Sequence, residues 1–341
     1  MTAIRSALIA ISLLSTSLWH DAYAAGAAGS SGPGPLFELS DAQLGSPPTF
    51  VIYGDMRFTD PGERVATSPG ARRALVARIA SEHPAALVLT GDIPWHGGDT
   101  DDYRVYRDET AAWRQLRLNV YPVLGNHEFS RCPEAQCLEN WWHAFPSVTG
   151  RRWYEVALGK RIRLFALDSD APLGAGSPQR HWLEREMSAL PPSVRFVLLA
   201  LHHPPVADES WFTVRSNERS LAGFLTQAAH RSSARFVVCS AHVHNYERFE
   251  EQGVVYLVSG GGGAKPLAVR RSADDRFQRP DFPNYHYLRF ELQGDALHVE
   301  MIRLMDFEAP SPHTWAVQDR FEIGANAPLA SRSAASNAAI H

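Results

Sequence analysis

The stretch RFVVCSAHVHNYER, residues 235–248, places two histidines shortly after a run of apolar residues. The β-branched and aromatic residues near its start, within residues 235–239, predict a buried strand. His242 and His244 follow in the turn that leaves this strand. Ligand-binding side chains collect where the strands of an α/β sheet end and loops leave a crevice, so this turn is a candidate site.

The same arrangement occurs at four earlier points, each time with polar residues after an apolar run. The runs cover residues 49–53, 87–89, 120–124 and 195–201. The residues that follow them are Gly54-Asp55-Met56-Arg57, Gly91-Asp92, Gly125-Asn126-His127-Glu128 and His202-His203-Pro204. Each fragment alone is weak, because Gly-Asp usually marks a turn and alternate strand residues point to opposite faces. Five fragments in this order predict one shared site.

Helical and strand patterns alternate between these points. Residues 71–82 carry apolar side chains at helical spacing, at Leu75, Val76 and Ile79. The last third, residues 254–304, consists mostly of strand patterns in which apolar and polar positions alternate. Strands and helices in alternation, followed by further strands, predict an α/β fold of two stacked mixed β-sheets flanked by helices.

The residue types at these strand ends are those that transition metals bind. Manganese, iron and zinc accept carboxylate and imidazole ligands together. One carboxylate can bridge two metals, which then lie about 4 Å apart and act on a water molecule and a phosphoryl group. A glycine before the ligand lets the backbone turn sharply and approach the site. The set therefore predicts a two-metal centre.

The order Asp-x-x, Gly-Asp, Gly-Asn-His-Glu, His-x-Pro and His-x-His resembles that of the calcineurin-like metallophosphoesterases. The resemblance covers residues 48–265, and the segment HVHNYER, residues 242–248, is similar to the last motif of purple acid phosphatases. It implies a four-layer α/β/β/α sandwich. It also implies hydrolysis of a small phosphate ester by in-line attack of a metal-bound hydroxide, and the last motif favours a phosphomonoester as substrate.

The resemblance further implies roles for individual residues. The implied metal ligands are Asp55 and His244 for the first metal, Asp92 as the bridge, and Asn126, His202 and His242 for the second metal. His127 would face the substrate as a proton donor or as a hydrogen-bond donor to the developing charge. The His-x-Pro spacing selects His202 as the ligand, which leaves His203 as a supporting or structural residue.

Two positions depart from the family's pattern. Many members carry a histidine two residues after the first aspartate, as a further ligand to the first metal, and this chain has Arg57 there. Purple acid phosphatases carry a tyrosine three residues after the second aspartate, where this chain has Trp95, and indole offers no lone pair to a metal. The first metal is therefore expected to be held more weakly. Arg57 is either a surface ion-pair partner or a clamp on substrate phosphate.

Different classes of function remain open at this point. The favoured one is a phosphomonoesterase with two divalent or trivalent metal ions, of iron, manganese or zinc. A phosphodiesterase of the same superfamily is the alternative enzyme. A catalytically poor protein that binds metal or phosphate is the alternative from another class; Arg57 favours it and His127 argues against it. A structural domain with accidental motifs leaves the pattern at the strand ends unexplained.

The composition is that of a globular protein. Hydrophobic residues make up 45% and charged residues 21% of the 341-residue chain. The formal net charge of -4 gives no electrostatic reason to expect nucleic acid as a partner. Bound metals can still supply positive charge locally for a small phosphorylated substrate. The sequence indicates no oligomeric state.

The N-terminus resembles a secretory signal over residues 1–24. Arg5 precedes a mostly apolar stretch that is too short for a comfortable membrane span, and Ala22-Tyr23-Ala24 fits a cleavage site. We therefore expect export to the periplasm or the medium, without a membrane span after cleavage; an uncleaved anchor is the alternative. In an oxidising compartment Cys132 and Cys137 are expected to form a disulfide, with a metal-binding pair as the alternative.

The domain boundaries follow from composition. Residues 25–47 begin with a Gly-, Ala-, Ser- and Pro-rich run and are expected to be a flexible lead-in. Residues 48–324 are expected to form a single metallophosphoesterase domain. Residues 325–341 are rich in Ala, Ser and Asn and are expected to be a disordered tail.

Overall fold

A computed structural model of the protein describes residues 34–208, 213–279 and 285–326. The predicted signal peptide lies outside the described residues, and so does the predicted tail from residue 327 onward. Within the described ranges, no helix combines the length and the apolar character that crossing a membrane requires.

The described residues form two β-sheets. The strands are β1 (Phe37–Leu39), β2 (Thr49–Tyr53), β3 (Ala86–Leu89), β4 (Asn119–Pro122), β5 (Tyr154–Leu158), β6 (Ile162–Ala166), β7 (Phe196–Ala200), β8 (Arg235–Ser240), β9 (Tyr246–Glu251), β10 (Val254–Ser259), β11 (His286–Gln293), β12 (Ala296–Leu304) and β13 (Trp315–Gly324). The first sheet has the order β1-β5-β6-β7-β8-β10-β9, and the second has the order β13-β12-β11-β2-β3-β4. Both sheets contain parallel and antiparallel pairs, as predicted for a mixed α/β fold.

Helices lie between the strands. They are α1 (Asp41–Leu44), α2 (Pro69–Glu82), α3 (Thr100–Glu109), α4 (Ala111–Gln115), α5 (Glu134–Ala144), α6 (Pro178–Ser188) and α7 (Ser216–Arg231), with short 3-10 helices at Asn126–Phe129 and Pro146–Val148. Helix α2 shows why these segments begin where they do. The Ser68 side chain accepts a hydrogen bond from the backbone of Ala71, and Pro69 occupies the first turn, where its missing N–H costs nothing.

The predicted flexible lead-in, residues 25–47, is wrong for residues 37–44. Strand β1 pairs in parallel with β5 at the edge of the first sheet, and α1 follows it with a capping box formed by Ser40 and Gln43. The ring of Phe37 packs against Tyr121 and Tyr154. The glycines and prolines before these residues dominate the local composition, so the short apolar pattern of β1 is easily missed.

The first sheet is buried on both faces, because the second sheet packs on one face and helices pack on the other. Strand β7 is buried throughout. Its residue Leu198 belongs to the same apolar cluster as Phe50 of the second sheet, whereas Leu199 belongs to the cluster that contains Leu225 of α7. Burying a leucine or phenylalanine side chain stabilises a fold by about 1.5–3 kcal/mol. The core therefore provides a rigid frame for the loops at the strand ends.

The loops that carry the predicted motifs leave the carboxyl ends of parallel strands. Strands β2, β3 and β4 are parallel neighbours in the second sheet, and β7 and β8 are parallel neighbours in the first. The backbone N–H of Asp55, beyond β2, donates to the carbonyl of Gly91, beyond β3. In the same way Ala241 donates to the carbonyl of His202. The five motifs therefore meet at one edge of the stacked sheets, where they form the candidate site.

Candidate metal centre

Four of the predicted ligands have an unusual backbone conformation. The φ angles are 60° at Asp55, 53° at Asp92, 69° at His242 and 51° at His244. Residues other than glycine rarely adopt this left-handed region, and each such conformation costs on the order of 1–3 kcal/mol. Such strain persists where the surrounding structure imposes it, and it concentrates at functional sites. All four turns direct a ligand side chain inward.

Two glycines allow the loops to come this close. A Cβ atom at Gly125 would lie 2.7 Å from Oδ1 of Asp92, and one at Gly260 would lie 2.6 Å from Oδ2 of Asp55. Real Cβ atoms essentially never approach oxygen at such distances. Any larger residue at these positions would therefore displace a predicted ligand.

Asp92 lies at the centre of the site and is fully buried. Its Oδ1 is 3.2 Å from Nε2 of His202, and its Oδ2 is 3.3 Å from Nη2 of Arg57 and 3.6 Å from Nε2 of His127. Burial opposes ionisation of the carboxyl, but these three neighbours outweigh it and hold the pKa of Asp92 well below its usual range. Asp92 is therefore a carboxylate, with contacts on both oxygens, as a bridging ligand requires.

His202 is oriented so that one ring nitrogen faces the site. Its Nδ1 lies 3.0 Å from the carbonyl oxygen of Thr90, which can only accept, so Nδ1 carries the proton. Nε2 then points inward, 3.1 Å from Oδ1 of Asn126 and 3.1 Å from Nδ1 of His242. A hydrogen bond at the outer nitrogen is the usual way in which a metal-binding histidine is oriented. Asn126, His202 and His242 thus converge as predicted for one metal.

The surroundings of His242 and His202 shift the pKa values of the two imidazoles in opposite directions. Burial and the neighbouring His202 lower the pKa of His242 to about 2, so His242 is neutral and keeps a lone pair. Burial also opposes protonation of His202, but the charges of Asp92 and Asp55 outweigh it and raise the pKa of His202.

Asp55 and His244 form the other part of the site. Nδ1 of His244 donates to the carbonyl oxygen of Lys265 at 2.9 Å, and Nε2 faces Oδ1 of Asp55 at 3.4 Å. Oδ2 of Asp55 accepts from the backbone of His242 at 2.7 Å, which ties the two sheets together. Among the described residues, Oδ1 of Asp55 and Nε2 of His244 have no hydrogen-bond partner although both are buried.

These unpartnered atoms fit a bound metal. Buried polar atoms without a partner are costly, and two inward-facing acceptors are satisfied together by a cation. Ligand atoms of Asp55, Asp92 and His244 lie within 4.8 Å of one another, and the same holds for His202, His203 and His242. The structure thus brings five of the six predicted ligands together in two adjoining groups. Asn126, the sixth, adjoins the second group through its Oδ1, 3.1 Å from Nε2 of His202.

His203 belongs to the second of these groups, although its sequence position favours a supporting role. Its Nδ1 lies 2.9 Å from the hydroxyl of Ser169, and its ring centroid is 4.2 Å from that of His242. Burial, followed by the neighbouring His202 and His242, lowers its pKa strongly. The pair His202-His203 in the sequence is the signal that both rings approach the site.

Arg57 and His127 flank Asp92 on the side of its Oδ2 atom. The Arg57 side chain is only 12% exposed, so it is not a surface ion-pair partner. Nδ1 of His127 donates to the carbonyl oxygen of Trp95 at 2.6 Å, which leaves Nε2 facing the site. Burial and Arg57 lower the pKa of His127, although Asp92 acts in the opposite direction.

Glu128 has no role in the sequence analysis, yet it connects two of the ligand loops. This buried carboxyl accepts backbone hydrogen bonds from Asp92 at 3.1 Å, Ile93 at 2.8 Å and Gly125 at 2.7 Å. Burial, and then the charge of Asp92, raise the pKa of Glu128 to about 8. The sequence signal for Glu128 is its position. It is an acidic residue that directly follows Asn126 and His127, in a turn between buried elements.

The two cysteines of the predicted pair are joined. Cys132 and Cys137 form a disulfide with 5.6 Å between their Cα atoms. Cys132 lies in the segment that links the 3-10 helix of Asn126 to α5, and Cys137 lies within α5. The remaining cysteine, Cys239, is buried in β8. The disulfide thus lies directly after the loop that carries Asn126 and His127.

Comparison with known proteins supports the resemblance to the calcineurin-like metallophosphoesterases that the sequence motifs indicate. The family model described as calcineurin-like phosphoesterase matches residues 47–246. A comparison with curated protein sequences gives no significant match.

Solved structures of similar fold include two phosphatases and an anchor protein. The purple acid phosphatase from yellow lupin (Lupinus luteus) seeds is 16% identical with a TM-score of 0.61, and the alignment covers 81% of this chain and 53% of that one. A dimetal phosphatase from Danio rerio is 14% identical with a TM-score of 0.56, with 86% and 100% covered. The anchor in the inner membrane complex of Plasmodium is 13% identical with a TM-score of 0.57, with 82% and 90% covered.

At these identities the structural likeness concerns the fold, and the chain spans about half the length of the lupin phosphatase. The family model is the stronger finding, because it matches more than half of the chain and includes each predicted motif from Asp55 to His244. The protein therefore belongs to the calcineurin-like phosphoesterase family, a family of metal-dependent phosphoesterases.

Proposed function

We propose that the protein is an exported phosphomonoesterase that works with two metal ions. The observation that carries the proposal is the placement of Arg57 and His127 beside one oxygen of Asp92, at 3.3 Å and 3.6 Å. A phosphate group bound next to Asp92 would lie beside a fixed positive charge and beside a side chain able to carry a proton.

The metal ligands in this proposal are those that the structure brings together. One metal would be held by Asp55, Asp92 and His244, and the other by Asp92, Asn126, His202 and His242. Bound metals would neutralise phosphoryl oxygens and lower the pKa of a water molecule between them. The donor set of carboxylate, amide and imidazole suits iron, manganese or zinc.

The side chains around the metals have separate tasks. The guanidinium of Arg57 stays charged at any assay pH and matches two phosphate oxygens at once, so it binds and orients the substrate. His127 has its Nδ1–H engaged by the Trp95 carbonyl, so a second proton would sit on Nε2, on the side of Asp92. From there it would pass to the leaving-group oxygen as the phosphorus–oxygen bond breaks.

Charge favours a monoester over a diester. A phosphate monoester carries up to two negative charges and a diester carries one. A site that adds Arg57 to two metal ions gains more from the more negative group, because Coulomb attraction scales with charge. The similarity of residues 242–248 to the last motif of purple acid phosphatases supports the same choice.

The test compares two substrates on the purified, metal-loaded protein. We expect hydrolysis of nitrophenyl phosphate to exceed that of bis(nitrophenyl) phosphate by at least about tenfold in kcat/KM, which is about 1.4 kcal/mol of transition-state discrimination. A chelator should abolish both activities, and metal analysis should find two metal ions per chain. Faster hydrolysis of the diester would establish the phosphodiesterase alternative.

One observation favours a catalytically poor binding protein instead. The position that many family members use for a further histidine ligand is taken by Arg57, which pairs with Asp92. The first metal would then have only Asp55 and His244 besides the bridge. Protein that holds two metals and binds orthophosphate, yet releases no phosphate from either ester, would establish this second function.

Export makes a prediction about the mature chain. Mass spectrometry of protein taken from its native compartment should find residues 1–24 removed and Cys132 linked to Cys137. The apolar stretch with its Ala22-Tyr23-Ala24 site and the joined cysteines support this expectation. An intact N-terminus would contradict cleavage, and free thiols at both cysteines would contradict an oxidising location.

A further inference from the structure

Trp95 contacts Arg57 and His127, the two side chains that the proposed function places beside the substrate phosphate. The Arg57 guanidinium lies over the indole, with its Cζ 4.8 Å from the ring centroid. The imidazole of His127 stacks on the same indole with 4.6 Å between centroids and 20° between ring planes. Trp95 itself is half-buried. We call Arg57, Trp95 and His127 the Trp95 cluster.

The indole holds the guanidinium without neutralising it. Among the described residues, Arg57 has two side-chain partners, the Asp92 carboxylate and the Trp95 ring, and its Nε has no hydrogen-bond partner. A carboxylate partner cancels the positive charge, whereas the face of an indole attracts it through the ring quadrupole alone. With metals bound to Asp92, Trp95 would be the contact that keeps Arg57 in place and leaves its charge available to an anion.

The same residue fixes the ring of His127. The Trp95 carbonyl accepts from Nδ1 at 2.6 Å, and the Trp95 side chain covers the face of the imidazole. A hydrogen bond and a stacked face together restrict both the tilt and the rotation of the ring. Nε2 is thereby held 3.6 Å from Oδ2 of Asp92, close to Nη2 of Arg57, which is 3.3 Å from the same oxygen.

We propose that Trp95 is a positioning residue that holds Arg57 and His127 at a fixed separation, so that one phosphate group can meet both. The assignment of Arg57 and His127 to phosphate rests on the proposed function. The indole thus has a task of its own at the position where purple acid phosphatases carry a tyrosine. Its ring contacts Arg57 and His127, so it orders the side chains of the site.

The test measures orthophosphate binding by calorimetry on metal-loaded protein with the variants Trp95→Ala, Trp95→Phe, Arg57→Ala and Arg57→Ala/Trp95→Ala. We expect Trp95→Ala to weaken binding by about 2- to 30-fold, the range of a cation–π contact. Trp95→Phe should recover most of this loss, because phenylalanine keeps an aromatic face. In the Arg57→Ala background, Trp95→Ala should weaken binding by a smaller factor than in wild type, since the guanidinium is absent and only the effect of Trp95 on His127 remains.

Trp315→Ala is the matched control, because Trp315 lies under another guanidinium, that of Arg78, at 5.7 Å. It should leave orthophosphate binding unchanged. Metal content and thermal melting are measured on every variant, and Trp95→Phe serves as the test should Trp95→Ala fail to fold. If the fold-losses in orthophosphate affinity of Trp95→Ala and Arg57→Ala multiply in the double variant, the two residues act independently. That result would overturn the proposal.

The proposal and the proposed function fail in different ways. Wild-type protein that binds orthophosphate but hydrolyses no ester would contradict the proposed function. That result would not contradict the coupling between Trp95 and Arg57. Equal orthophosphate affinity in wild type and Trp95→Ala would contradict the positioning role of Trp95, regardless of the rate of ester hydrolysis. Metal-loaded wild type that binds no orthophosphate would overturn both.

Discussion

Asp92→Asn is expected to reduce hydrolysis of nitrophenyl phosphate by at least about 10³-fold while the protein remains folded. Asparagine has nearly the same shape, so it can still accept the backbone hydrogen bond that His127 donates to Oδ1 at 3.0 Å. It lacks the negative charge to which the proposed function assigns the bridging of two cations. Metal ions contribute several kcal/mol to transition-state stabilisation, and 1.36 kcal/mol corresponds to a tenfold change in rate. Metal analysis should find fewer than two ions per chain.

Asp275→Asn is the matched control for this change. Asp275 is also a buried aspartate that pairs with an arginine, Arg271, and it accepts a backbone hydrogen bond from Phe277 at 2.8 Å. This variant should lose some thermal stability yet keep its metals and its activity. Near wild-type turnover of Asp92→Asn with two bound metals would show that Asp92 does not bridge them.

His127→Ala is expected to slow hydrolysis of an alkyl phosphate such as glycerol phosphate by about 10²–10⁴-fold, the usual contribution of a general acid. An alkoxide is a poor leaving group and needs a proton, which the proposed function assigns to His127. Nitrophenolate leaves almost unaided, so the same variant should lose much less activity on nitrophenyl phosphate. His127 touches Asp92 but is not among the proposed metal ligands, so the metal content should be unchanged.

The measurement is the ratio of kcat for the two substrates in wild type and variant. His181→Ala, an exposed histidine on α6, is the control for removal of an imidazole and should leave the ratio unchanged. Equal losses on both leaving groups in His127→Ala would assign His127 to phosphate binding instead of proton transfer. Loss of metal in that variant would show that His127 supports a ligand.

Local patterns were enough to predict most of the scaffold. The predicted helix over residues 71–82 corresponds to α2, Pro69–Glu82, because apolar residues at helical spacing mark its buried face. The predicted strand over residues 49–53 has the bounds of β2, Thr49–Tyr53. The lead-in was predicted wrongly, because three residues of β1 carry too short a pattern to stand out beside a Gly- and Pro-rich run.

The sequence by itself determined the architecture and most residues of the candidate site, but not Glu128. Apolar runs that end in Gly-Asp, Gly-Asn-His-Glu or His-x-His are local patterns, and the rule that ligands gather at the ends of parallel strands places them together. Tertiary structure alone decided which atoms meet, because the partners lie far apart along the chain. His242 and Asp55 are 187 residues apart, and the packing of the two sheets sets the distance between them. Asp92 and Glu128 are 36 residues apart, and the pairing of β3 with β4 brings them together. The stacking of Arg57 and His127 on Trp95 follows for the same physical reason, since a stacking geometry depends on backbone turns that no local pattern specifies.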